Sequence, residues 1–119
     1  MAEQQESIGR IEVAPEVLLT IVHQEVLGIK GVNRMASAPS EVSNLFRRSS
    51  RYEGVVLDYS EGRLNFNVYV LMDPDVNLRE TSQAIQVAVI EAIDKMVGVP
   101  VESVNVHVED VIYAQGQTA

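Results

Sequence analysis

The chain holds 119 residues, 46% of them hydrophobic and 22% charged, with 17 acidic against 9 basic side chains and a formal net charge of −8. That length allows one domain around one core. The balance excludes a disordered chain, a spanning helix of about 18–20 apolar residues, and the basic surface on which a free nucleic-acid binder relies. Cysteine is absent, which removes disulfides and thiolate chemistry and fits a reducing cytoplasm.

Residues 1–7, MAEQQES, are polar and acidic with neither a basic nor an apolar stretch, so they read as a disordered tail and not as a secretory signal. Residues 8–13, IGRIEV, alternate briefly and predict a short first strand. Pro15 and Glu16 then suit the first turn of a helix, and Leu18, Ile21, Val22, Val26 and Ile29 recur at helical spacing. Gly28 and Gly31 mark its end. Residues 32–51 read as a long loop with a short helix begun at Ser40.

A hairpin is expected over residues 52–72. Val55, Leu57 and Tyr59 alternate on one strand, and Leu64, Phe66, Val68, Val70 and Met72 on the next, with Gly62 in the turn. Asn77 followed three residues later by Glu80 opens a second helix, which runs to about Val97 with a main stripe of Leu78, Ile85, Val89, Ala92, Ile93 and Met96. Gly98 and Pro100 stop it, VESVNVHVEDVIY forms the last strand, and residues 114–119 read as a frayed tail. The expected order is β-α-β-β-α-β over a single domain, 8–113. This is an α+β, two-layer sandwich with two helices packed on one face of a small sheet of three to four strands.

Four places invite a chemical reading. In the last strand Asn105, His107 and Glu109 share one face while the valines take the other. The row offers at most two good metal ligands and the second histidine, His23, lies on the first helix, so a solvated sheet face is the better reading. DPDVN at 73–77 imitates a calcium loop, but Leu78 and Ala84 stand where its glycine and its bidentate glutamate belong. Phe46, Arg47, Arg48 and Arg51 cluster in the long loop, carrying a third of the basic residues. They form either a candidate docking element for an acidic partner segment, a phosphate or a headgroup, or a local helix tucked on the core with solvated arginines. Val87, Ile90 and Val97 make a second apolar stripe on the long helix, suited to contact with the first helix or to self-association. No nucleophile elbow, phosphate loop or dinucleotide fingerprint is present, so no enzyme, cofactor or metal is expected.

The blocks IGRIEVAPEVLLTIVHQEVLGIKGV, GVVLDYSEGRLNFNVYVLM and VESVNVHVEDV resemble the alkaline shock protein family, the envelope stress response proteins of bacteria. Gly9, Ile11, Val13, Val17, Ile21, Glu25, Val26 and Gly28 fit the first block, and the likeness covers residues 8–111. The resemblance implies a non-enzymatic cytoplasmic protein linked to cell-envelope stress, in a family some of whose members are held at the membrane through a separate anchor protein. Taken with the second apolar stripe and the arginine-rich loop, it leads to the expectation of a scaffold that self-associates and docks other proteins. It brings no catalytic residues. The chain departs from the family at Gly31 and in the arginine-rich loop. The glycine departure completes GXXG over 28–31, the loop with which KH domains clamp nucleic acid, and makes a KH-like binder the alternative reading.

Overall fold

The computed structural model describes residues 8–39 and 48–113. Helix α1 spans Pro15–Leu27, with Pro15 in its first turn, where a missing N–H costs nothing, and Glu16 at the positive end of the dipole. Leu18, Leu19, Val22 and Val26 are buried, while Ile21 and Ile29 pack half-buried at the core's edge. The helix ends at Gly28, whose N–H donates to the carbonyls of Gln24 and Glu25, and Gly31 at φ +105° turns the chain into the sheet.

The sheet has five strands: β1 Val32–Met35, β2 Arg48–Tyr52, β3 Val55–Ser60, β4 Arg63–Met72 and β5 Val101–Val111. Two corrections to the expected order follow. Residues 8–13 form no strand; they run exposed beside the domain, because alternation gives only a strand's shape and a strand needs a partner's N–H and C=O groups. The segment 32–51, expected as a loop, contributes strands at both its ends. Strand β4 is ten residues long and its hairpin partner β3 only six, so the end of β4 would present unpaired backbone. Strand β1 takes that place, with Val32 opposite Met72 and Met35 opposite Val70. The handover falls at Tyr69, whose N–H donates to Gly54 O and whose carbonyl accepts from Ala36 N.

Strands β2, β3 and β4 form an antiparallel meander with two two-residue turns. Each turn is Glu-Gly with positive φ at both residues, Glu53 and Gly54 in the first and Glu61 and Gly62 in the second, as the type I′ hairpin turn requires. Strand β5 lies parallel to β4 on its other side, so the sheet is mixed. A parallel pair needs a long crossover, which helix α2, Leu78–Met96, supplies. Asn77 caps α2 by accepting from Glu80 N at 2.9 Å, and Gly98 at φ +79° closes it by donating to Ile93 O and Asp94 O.

Both helices lie on one side of the sheet, α1 over β1, β2 and β3 and α2 over β5. Leu64, Phe66, Val68, Val70 and Met72 of β4 point into that layer and meet Leu19, Val22 and Val26 of α1 and Ile85, Val89 and Ile93 of α2. The ends of the expected α2 stripe do not join them: Leu78 and Met96, in the helix's first and last positions, are exposed. The two-layer α+β arrangement is thus as the sequence implies, with one more strand than expected.

Candidate functional site: the helix-free face of the sheet

On β4 every second residue faces away from the helices: Asn65, Asn67, Tyr69 and Leu71, all half-buried. The parallel register sets Ser103 beside Asn65, Asn105 beside Asn67 and His107 beside Tyr69. Side chains in register lie close enough to interact, and here they do. Ser103 Oγ donates to Asn65 Oδ1 at 2.6 Å. His107 Nε2 donates to Asn67 Oδ1 at 2.9 Å, since an amide oxygen can only accept. The ring of His107 stacks on Tyr69 with centroids 4.4 Å apart and planes 11° from parallel. The backbone of Tyr69 is itself fixed, bonded to Gly54 just before β3 and to Ala36 just after β1, and paired with His107 of β5.

The expected row of Asn105, His107 and Glu109 is therefore two residues long. Val108 pairs with Val70 and Asp110 with Leu71, so Glu109 is the extra residue of a bulge and stands exposed outside the register. Asn105 is also exposed. His23 sits on the other side of the sheet, edge-on to Tyr52 at 5.1 Å, so the two histidines do not meet. Among the described residues no group of three or more histidines and acids could hold a metal ion.

The calcium-like residues have structural work. Asp73 Oδ1 accepts from Asn33 Nδ2 at 2.9 Å, its N–H donates to Gly31 O, and Asn77 caps α2. In the GXXG turn, Gly31 is buried against Thr81 and Val76 of the α2 region, so its backbone is committed to internal packing. Of the arginine cluster, Phe46 and Arg47 lie outside the described residues, and Arg48 opens β2 opposite Tyr59. Arg51 lies at the border of the helix-free face, in a shallow cleft of about 300 Å³ also lined by Met35, Ala36 and Gly54. Its Nη1 donates to Pro39 O at 2.8 Å. The second stripe divides: Val97 packs against the core, whereas Val87 and Ile90 are 53% and 43% exposed.

Sequence reasoning missed Tyr69, Asn67, Asn65 and Ser103 as companions of His107. The signal was present in the polar alternation N-F-N-V-Y of β4, but it gains meaning only when β4 and β5 are adjacent and in register. No helix among the described residues is long and apolar enough to cross a membrane.

Comparison with known proteins gives this fold a family. The model of the alkaline shock protein family, with cell envelope-related function, matches residues 3–113, and the chain belongs to that family. The uncharacterized protein Spy1535 of Streptococcus pyogenes is 31% identical over 108 residues, covering 90% of this chain and 82% of its own. The uncharacterized protein YqhY of Bacillus subtilis is 21% identical over 109 residues, covering 91% and 81%. Among solved structures, a variant of MamM-CTD has a TM-score of 0.41 and 14% identity over 82% of this chain and 98% of its own.

Proposed function

We propose that this member of the alkaline shock protein family is a non-enzymatic scaffold of the cell envelope. It works in the cytoplasm by docking a protein partner, itself anchored in the membrane, on the helix-free face of its sheet. The observation that carries the reading is the ordered row on that face, where Asn67 fixes His107 and His107 stacks on Tyr69. Side chains already locked in place lose little conformational freedom when a partner arrives. A tyrosine ring with amide, imidazole and hydroxyl neighbours offers both apolar area and directional hydrogen bonds, the mixture protein interfaces favour. Arg51 at the border, with Arg47 and Arg48 just before it in sequence, adds cationic charge for an acidic partner segment on a molecule that is otherwise acidic.

Site-specific photo-crosslinking in cells tests this. A crosslinker placed at Asn105 on the face should trap a membrane-anchored protein, and one placed at the exposed Glu91 of α2 should not. Equal trapping from both positions, or trapping from Glu91 alone, would refute the docking face.

A further inference from the structure

Residues 10–13 have a strand's chemistry and no sheet. Arg10 Nη2 and Glu12 Oε2 pair at 2.7 Å, an i,i+2 contact that extended backbone allows because alternate side chains share a face. The other face then carries Ile11 and Val13, which are 94% and 45% exposed. Scattered exposed apolar residues are ordinary. An apolar strand face this open to solvent among the described residues is less so.

Elsewhere the molecule has a place of matching shape. Strand β5 is an outer strand of eleven residues, paired among the described residues with β4 along one flank only. Long edges are usually blunted with charges, proline or bulges. Strand β5 has bulges and acids at Glu102 and at Glu109–Asp110, but Ser103–Val108 between them carries no lysine, acid, proline or bulge. On the helix side of β5, Val106 and Val108 are only half-buried, so the helix layer leaves room at this margin. The flank of α2 above it is identified by Gln86, whose Nε2 donates to Val104 O at 3.0 Å. Ile90 follows Gln86 by one helical turn, on that flank, and is exposed. An open edge, half-covered valines and an exposed isoleucine above them therefore lie together. They would be covered by one added strand with an apolar side.

The segment cannot easily serve its own edge. It leads into α1, which lies over β1, β2 and β3, whereas β5 is under α2. From β2 to β5 is three strand spacings, roughly 14 Å, and four to six residues at ~3.3 Å each would be consumed in the crossing. We propose that residues 10–13 add as a strand to the free edge of β5 in a second copy of this chain, with Ile11 and Val13 tucked beneath Ile90 of the acceptor. Donor and acceptor surfaces differ, so the contact is head-to-tail, and each copy that donates still has its own edge to offer. This surface is distinct from the docking face, and either can fail alone.

The absence of native cysteine makes the test direct. A chain carrying Glu12→Cys and Asn105→Cys is oxidised mildly and its mass is measured on non-reducing gels and by light scattering. Disulfide-linked dimers and higher multiples are expected, and adding Ile11→Asp should lower the linked fraction about tenfold with an unchanged circular dichroism spectrum. A variant pairing Glu12→Cys with Arg51→Cys on β2, the opposite edge but the same helix-free side of the sheet, should link far less. Monomeric mass without linkage, a disulfide closed within one chain, or preferential linkage to β2 would each overturn the proposal.

Discussion

The two faces of β4 differ more than any two elements of the molecule. Towards the helices stand Leu64, Phe66, Val68, Val70 and Met72, all buried; away from them stand Asn65, Asn67, Tyr69 and Leu71, all half-buried. One ten-residue strand thus holds the core together on one side and presents a polar, aromatic row on the other. Period-two alternation makes this economy available, because changing one face leaves the packing of the other largely intact. Substitutions on the two sides should therefore separate stability from recognition.

The strongest way to break the comparison is from inside. Phe66→Ala removes the largest fully buried side chain and should cost about 3–5 kcal/mol in urea unfolding, enough to endanger a domain of this size. The two Glu-Gly turns allow a sharper contrast. At Gly54, φ is +86° and an added Cβ would stand 2.4 Å from Ala36 O, at the seam where β1 takes over from β3. Gly62 has φ +74° but open space around it. Gly54→Ala should cost about 2–5 kcal/mol, strain plus clash, and Gly62→Ala only the ~1–2 kcal/mol of left-handed strain. Equal midpoints for the two variants in a denaturant series would show that the seam is not built as described. Removing the cap with Asn77→Ala should lower stability by about 0.5–2 kcal/mol, seen as a smaller shift in the same series. Smallest of all, Asn105→Ala on the exposed rim should stay within about 0.5 kcal/mol of the parent while weakening partner capture.

Much of this architecture was legible in the sequence, and the misses have physical causes. Both helices, the hairpin and the last strand could be read because each carries its own period and its own stop signal, such as Gly62 in the hairpin turn or Asn77 before α2. Strands β1 and β2 carry no such signal: VNRM and RSSRY do not alternate, and they are strands because β4 outruns β3 at one end and β3 has a free flank. A second Glu-Gly, eight residues before the one in the expected turn, was the available clue to β2. The opposite error, a strand at 8–13, has the complementary reason: Ile11 and Val13 alternate correctly but find no strand partner among the described residues. On the candidate site, His107 could be singled out by its rarity. Its stacking on Tyr69 and its bond to Asn67 depend on a parallel register set by a crossover helix, which no local pattern encodes. At Glu109, exposed as expected, a bulge after Val108 interrupts the register that the letters alone continue.

The division of labour between the two faces is tested most directly by one double variant, Tyr69→Ala with His107→Ala, measured for urea stability and for capture of the crosslinked partner. Stability within about 1 kcal/mol of the parent, together with loss of capture, is the expected result. A cooperative loss of several kcal/mol would make the row part of the core's support, and undiminished capture would move recognition elsewhere; either would contradict a face built for contact.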